Sequence, residues 1–462
     1  MTDPFDARQQ DRLHLLHSLH NPKAQEHAHI WTAGRGAILV DQSGREFLDA
    51  LAGLWNVIVG HGRHELADAA AEQMRRLAYA SAYAGGSNRP AIELAERLAE
   101  LCYPGINRFF FTSGGAESNE TAFKTARYFW RAEGYEGKFK IIGRQWGYHG
   151  TTLAAMSATG ISTYWPAFEP RVPGFLHIES PYPYRFDADK HRRGPDDRRS
   201  PGEVAADLLE EWILREGADT VAAFLGEPVQ GAGGVIVPPD DYWPRIRQIC
   251  DRHQVLLIAD EVITGFGRTG DWFALSRYGI EPDLVTFAKG VTSGYFPLGG
   301  VGMSDRVAAT IDAGAGSWMH AFTYSAHPVG CAVALANLRI LEQEGLLQRA
   351  RELGARLLRQ LQTLTSQPHV GEVRGLGLMA AVELVADRTT KAEFPAEQKI
   401  GPRVHEATQA RGMFTRLRGD IYNFAPCYVT NEAQIDRMVQ VLGESIDEVL
   451  GGRSQEPGAR SP

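Results

Sequence analysis

ValLeuLeuIleAlaAspGlu, residues 255–261, is five apolar residues followed without a break by two carboxylates. A run so short and apolar at every position reads as a strand buried on both faces, because a half-exposed strand would alternate. The same pattern recurs on either side. ValAlaAlaPheLeuGly at 221–226 runs into Glu227, and LeuValThrPheAla at 284–288 runs into Lys289. Helical periodicity precedes the first of these runs over Glu203–Glu216 and separates it from the second over Tyr242–His253. Further upstream a helical stretch begins at Pro90, a strand follows at 108–112, a helix at Glu117–Glu133 and a strand at Lys140–Gly143. Apolar strands alternating with helices predict an α/β chain with a mostly parallel, doubly wound sheet.

After His327 the pattern changes to long amphipathic helices, Ala332–Leu341 and Leu346–Thr365. Strand-rich stretches follow at Val373–Leu384 and Phe414–Val429, then a last helix at Ala433–Leu450. The expected division is a large domain over 61–326 and a smaller α+β domain over 327–450. Residues 1–60 are expected to join the small domain, and 451–462 to form a flexible tail. Residues 181–202 are polar and turn-rich and read as an exposed excursion.

Composition narrows the chemistry. The chain has 462 residues, 44% of them hydrophobic, which is enough to fill a core and excludes a natively unfolded chain. Lys plus Arg is 48 against 56 acidic residues, a net charge of −8, which argues against binding nucleic acid or anionic membranes. No apolar run approaches the roughly 20 residues needed to span a bilayer. The start lacks the pattern of a signal peptide. Cys102, Cys250, Cys331 and Cys427 are widely spaced and suggest neither a disulfide framework nor a zinc site, so a reduced, cytoplasmic setting is expected. His14, His17 and His20 recur every third residue in a helical stretch without a nearby carboxylate pattern, and read as an amphipathic face rather than a metal site.

The charges that end the three apolar strands carry the functional argument. In open α/β sheets ligands sit outside the carboxyl ends of the strands, so Glu227, Asp260 and Lys289 should converge on one crevice. Upstream, the strand at 108–112 runs through Ser113, Gly114, Gly115 and Ala116 into a helix. A glycine turn at a helix N-terminus offers backbone N–H groups to a phosphate. It lacks the lysine of a P-loop and the spacing of a dinucleotide fingerprint. A phosphate cradle, an aspartate and an isolated lysine together suit pyridoxal phosphate, with the lysine as covalent anchor and the aspartate on the pyridine nitrogen.

These residues stand in a longer series: GlyTyrHisGly at 147–150, GluProValGlnGlyAlaGlyGly at 227–234, AspGluValIleThrGlyPheGlyArgThrGly at 260–270, ThrPheAlaLysGly at 286–290 and PheThrTyrSerAlaHisPro at 322–328. With the flanking LeuAspAlaLeuAlaGlyLeuTrp at 48–55, the series resembles the class III pyridoxal-phosphate aminotransferases of fold type I, and within them the ω-transaminases that use amines or ω-amino acids with pyruvate. The resemblance implies that Lys289 anchors the cofactor and shuttles the substrate proton, and that Asp260 pairs with the pyridinium nitrogen. It places Tyr148 on one face of the ring and Val262 on the other, with His149 and Glu227 supporting Asp260. Ser113, Gly114, Gly115 and Ala116 would hold the phosphate. Phe322 and Thr323 would reach the phosphate of a neighbouring subunit, which implies a homodimer or a dimer of dimers.

The resemblance also assigns Arg416 as a movable cation that meets a substrate carboxylate or withdraws, with Arg418 as the competing candidate. Trp55, Tyr83 and Trp146 would wall the substrate pocket, with Tyr148 and Ala232 shaping it. Two departures bear on function. Ala116 stands where relatives often carry Ser, which removes a hydroxyl from the cradle. Ile263 replaces the Gln of many glutamate-dependent members, which favours pyruvate as the 2-oxo acid acceptor. The expected reaction moves an amino group from a small-molecule amine donor to pyruvate, giving an aldehyde or ketone and alanine. Alternatives within the same fold are a 2-oxoglutarate aminotransferase, an aminomutase and a decarboxylase.

Overall fold

The computed structural model describes residues 6–26, 28–83, 85–314 and 316–451. Its centre is a seven-stranded sheet in the order Ile106–Thr112, Gly299–Ser304, Leu284–Phe287, Leu256–Asp260, Val221–Gly226, Lys140–Arg144, Phe175–Ile178. Gly299–Ser304 runs antiparallel to both neighbours, and the remaining strands are parallel to one another. All residues of Val221–Gly226, Leu256–Asp260 and Leu284–Phe287 are buried, as their unbroken apolar sequence requires. The sheet is the mostly parallel α/β sheet expected from the sequence.

Two of its strands escaped the sequence reading. Phe175–Ile178 is a short edge strand. Gly299–Ser304 holds three glycines, which weaken strand propensity, and they are there because neighbours press on them. A Cβ on Gly300 would lie 2.5 Å from the Phe287 ring, and one on Gly302 would lie 2.5 Å from Ile106.

Helices cover the sheet, and their ends follow capping chemistry. Pro201–Glu216 begins at a capping box in which Ser200 Oγ accepts from the Glu203 N–H and the Glu203 carboxylate accepts from the Ser200 N–H. Gly115–Ala132 starts from Gly114, where no side-chain cap occupies the N-terminus. That leaves its first N–H groups available.

A second sheet of four antiparallel strands runs Val370–Gly375, Ala380–Leu384, Ile421–Phe424, Arg416–Arg418. A third joins the two ends of the chain: Trp31–Arg35, Ile38–Asp41 and Glu46–Asp49 pair in sequence, and Met413–Phe414 adds in parallel beside Glu46–Asp49. Glu432–Leu450 is the last helix, and residues 452–462 of the expected tail lie outside the described residues.

Three expectations are corrected in detail. The excursion at 181–202 is not wholly exposed: Tyr182 is buried, its hydroxyl donates to Glu383, and Arg185 Nε donates to the same carboxylate at 2.9 Å. The helix carrying His14 ends at that residue, so the three histidines do not share one helical face, and His17 Nε2 instead lies 2.9 Å from Asp11 Oδ1. The helix after His327 begins earlier than read, at Pro328, with the His327 ring accepting from the Val329 N–H.

Candidate active site

Because the strands Val221–Gly226, Leu256–Asp260 and Leu284–Phe287 lie side by side in parallel register, the residues at and just beyond their carboxyl ends open at the same end of the sheet. Glu227, Asp260 and Lys289 accordingly line one cavity of about 370 Å³. The same cavity is lined by Ser113, Gly114, Gly115, Ala116, Tyr148, His149, Val262 and Ile263.

Asp260 is buried and held on both oxygens. Asn119 Nδ2 donates to Oδ2 at 2.8 Å, His149 Nδ1 lies 2.7 Å from the same oxygen, and the Val262 N–H donates to Oδ1 at 3.1 Å. Burial alone would push this carboxyl up. The hydrogen bonds and the His149 charge outweigh it and hold the group below its ordinary value, so Asp260 stays ionised. Glu227 goes the other way. Burial raises it, although its carboxylate accepts from the Tyr148 N–H at 2.9 Å and the Gly231 N–H at 2.8 Å. Two acids in one cavity are thus driven apart in acidity, a pattern found where acids have separate tasks.

Lys289 sits at φ 45 directly after its strand. Burial lowers its amine below the usual lysine value, against the pull of Asp260 and Glu227, and the nearby Arg416 charge lowers it further. A lysine lowered in this way is more often a free amine and therefore a nucleophile.

At the other end of the cavity Gly114 and Gly115 open the helix Gly115–Ala132. A Cβ on Gly114 would meet nothing within 4 Å, so its backbone faces free space, while a Cβ on Gly115 would lie 2.9 Å from Val262 Cγ1. Glu117 accepts from the Ser113 N–H at 2.8 Å and ties the turn down. Gly150, at φ 121, packs on Ala116 so closely that a Cβ there would lie 2.6 Å from the Ala116 Cβ.

Asn119 is the main site residue the sequence reading missed. It stands one helical turn beyond Gly115, on the same helix face. From there its amide bridges Asp260 and the His149 carbonyl, and its oxygen accepts from Thr286 Oγ1 at 3.0 Å. Asn56, Thr292 and Phe296 also line the cavity without having been singled out.

Other expected site residues lie elsewhere in the single chain. Trp55 is not among the residues lining this cavity: it is 2% exposed and packs in an apolar cluster with Val229, Ile421 and the lining residue Ile263. Tyr83 is exposed, and Ala232, Phe322 and Thr323 are also outside the cavity lining. Trp146 lines a neighbouring cavity of about 320 Å³, where the Arg418 guanidinium stacks 3.6 Å from the centre of its ring. The two arginines are thereby distinguished. Arg418 is also tied by a 2.7 Å bond to the Gly233 carbonyl, whereas the Arg416 guanidinium makes no hydrogen bond or ion pair within the described residues and lies close enough to bias Lys289 and Tyr148.

The cradle, the ionised aspartate and the lysine of lowered basicity form a donor set that fits a phosphorylated pyridine cofactor, and the family comparison agrees. The model of the aminotransferase class-III family matches residues 20–446. The chain belongs to the class III aminotransferases. It is therefore a pyridoxal-phosphate-dependent transaminase of fold type I. Among relatives of this class III enzyme, the putrescine–pyruvate aminotransferase of Pseudomonas aeruginosa is 42% identical over 91% of both chains. The diaminobutyrate–2-oxoglutarate transaminase of Halomonas elongata is 40% identical over 99% of both. A thermostable (S)-enantioselective ω-transaminase from Thermomicrobium roseum superposes with a TM-score of 0.92 at 47% identity, covering 97% of this chain and 100% of that one. The ω-transaminase of Pseudomonas jessenii in complex with PMP gives 0.91 at 38% identity, covering 96% and 98%. No helix of the described residues is long and apolar enough to cross a membrane.

Proposed function

We propose that this transaminase takes the amino group of a primary amine or ω-amino acid and delivers it to pyruvate. The observation that carries the reading is Arg416, a guanidinium with no hydrogen bond or ion pair among the described residues, within electrostatic reach of Lys289 while its neighbour Arg418 is anchored. A donor without a carboxylate beside its amine needs no cation at that place, and a 2-oxo acid needs one. An arginine free of partners can serve both halves of the cycle. Ile263 in the lining supplies an apolar surface suited to a small acceptor, and the name of the Pseudomonas aeruginosa relative is in keeping with pyruvate. A 2-oxoglutarate acceptor is the second reading, favoured by the name of the Halomonas elongata relative.

When bound, pyridoxal phosphate supplies the electron sink that lets a proton leave the carbon bearing the amine. The residues of this chain do the rest. Lys289 Nζ would take that proton from the amine-bearing carbon and carry it across the intervening nitrogen to the cofactor side. Asp260, kept ionised by hydrogen bonds from His149 and Asn119, would hold a protonated ring nitrogen. Gly114, Gly115 and Ala116 offer backbone N–H groups to the phosphate, assisted by the helix N-terminus. Tyr148 and Val262, which line the cavity, would enclose the ring, and Glu227 fixes the Tyr148 backbone.

The working unit in this reading is at least a homodimer. Thr323, Tyr324 and Tyr79 form one exposed patch, in which the Tyr79 hydroxyl donates to the Thr323 carbonyl at 2.8 Å and the two tyrosine rings lie 6.3 Å apart. Covering such a patch with a second copy would bring Thr323 and Phe322 to the partner's cofactor. A cytoplasmic location is supported by four free thiols. The division into a large unit over 61–326 and a small one over 327–450 joined by 1–60 belongs to the same proposal, supported by the pairing of Glu46–Asp49 with Met413–Phe414. The test is a yellow holoenzyme titrated with a panel of amines. Bleaching by an amine, followed by recovery with pyruvate but not with 2-oxoglutarate, is expected; recovery with 2-oxoglutarate alone would overturn the acceptor.

A further inference from the structure

The turn Gly231–Gly234 packs against the lining of the active site with almost no clearance. A Cβ on Gly231 would lie 2.6 Å from Ile263 Cδ1, and one on Gly233 would lie 2.4 Å from the Trp146 carbonyl. The turn is closed on itself, because the N–H groups of Gly234 and Val235 both donate to the Gly231 carbonyl, at 3.0 and 3.1 Å. Its first N–H donates to Glu227. Thus the position of this turn sets how far Ile263 stands into the cavity and how Glu227 is held.

Two arginines from the four-stranded antiparallel sheet grip consecutive carbonyls of that turn. Arg374 Nε and Nη2 donate to the Gly234 carbonyl at 2.8 and 2.6 Å, and Arg418 Nη1 donates to the Gly233 carbonyl at 2.7 Å. Neither grip is loose. Arg374 is buried, with Nη1 bound to Glu383 at 2.9 Å and Glu372 at 2.6 Å, and its guanidinium lies 4.6 Å from the Tyr182 ring. Arg418 is stacked on Trp146. A charged, planar donor fixed on its far side by a carboxylate or a ring has little freedom left, so its bond to a carbonyl acts as a strut.

We infer that Arg374 and Arg418 are positioning residues that set donor specificity, by clamping the Gly231–Gly234 turn and with it the Ile263 wall of the substrate cavity. Neither residue lines the cofactor cavity, so the clamp acts on the space left for the donor rather than on the chemistry. The direction of its effect follows from the packing. Gly231 and Gly233 leave no room even for a Cβ against Ile263 and Trp146, so a turn released by cutting a strut is freer to move away from them than toward them, which enlarges the cavity. A larger cavity admits a donor branched at the amine-bearing carbon and loses contact with an unbranched one.

The inference rests on the reading of the cavity as the amine site, and the experiment separates the two. The rate at which amines bleach the yellow holoenzyme is measured with an unbranched and a branched monoamine, for the unsubstituted enzyme and for Arg374→Met, Arg418→Met and the double variant. If no amine bleaches the unsubstituted enzyme, the proposed function fails. If amines bleach it, each single variant should raise the branched-to-unbranched rate ratio by about tenfold, the scale of a small change in an apolar pocket. The double variant should stay within about twofold of the larger single effect, because both struts hold one turn. Arg374→Lys, which keeps a cation and a donor, should restore most of the original ratio, and it carries the test together with Arg418→Met should Arg374→Met not fold. A structural role alone would slow both amines equally; an unchanged ratio, or multiplication of the single effects in the double variant, overturns the clamp.

Discussion

At the scale of single residues, the site depends on opposed acidities held within one cavity. Asp260 is kept ionised by His149 and Asn119, Glu227 is raised by burial, and Lys289 is lowered by burial. A lowered lysine reaches its free-amine form at a lower pH than a lysine in water, for which the value is near 10.4. Capture of pyridoxal phosphate by the apoenzyme, followed by the growth of yellow colour, should therefore have its midpoint below the ordinary lysine value and fall as pH drops through the lowered value. A midpoint at the ordinary lysine value would remove the argument from burial. Arg416 gives a second prediction: Arg416→Ala should reduce kcat/KM for pyruvate by at least about tenfold, the loss of a charged hydrogen bond, and leave bleaching by a simple monoamine nearly unchanged. Equal losses in both half-reactions would reject the movable cation. The residues carrying charge at the strand ends were legible in the sequence because an isolated charge after an apolar run stands out. Asn119 was not, since an amide inside an ordinary amphipathic helix carries no mark of its partners. The difference between Arg416 and Arg418 was also hidden, because what distinguishes them is a ring and a backbone carbonyl contributed by residues 146 and 233.

At the scale of elements, the function is placed by one strand-turn-helix unit and three parallel strands. The helix Gly115–Ala132 serves twice: its N-terminus opens on the cavity, and Asn119 on its first turns holds Asp260. Gly115→Ala should raise the dissociation constant for pyridoxal phosphate by about tenfold, because the added Cβ must displace Val262, which lines the same cavity. Equilibrium dialysis measures this, and an unchanged constant would mean that the cradle does not lie at this turn. A prediction about folding alone belongs to the capping box: Ser200→Ala should cost about 1 kcal/mol of stability with activity per folded molecule retained. The strands after which Glu227, Asp260 and Lys289 stand were readable because burial on both faces leaves every position apolar. Gly299–Ser304 was unreadable for the opposite reason, since close packing by Phe287 and Ile106 demands glycine where a strand normally shows branched side chains.

At the scale of the whole molecule, sites at the sheet edge are finished by distant parts of the chain. The antiparallel sheet sends Arg416 toward Lys289 and Arg374 and Arg418 onto the Gly231–Gly234 turn, so the wall of the substrate cavity is set by residues about 140 to 190 positions away in sequence. The exposed patch around Tyr79, Thr323 and Tyr324 predicts that the protein sediments as a dimer or larger and that Tyr324→Asp shifts it toward monomer with loss of cofactor; a fully active monomer would contradict the shared site. The central claim is that Lys289 holds the cofactor at the sheet edge facing Asp260. The most direct measurement is borohydride reduction of the yellow holoenzyme, followed by peptide mass mapping. The account predicts one cofactor per chain fixed on the peptide containing Lys289, and none after Lys289→Ala; a label on any other lysine, or its persistence in that variant, would contradict it.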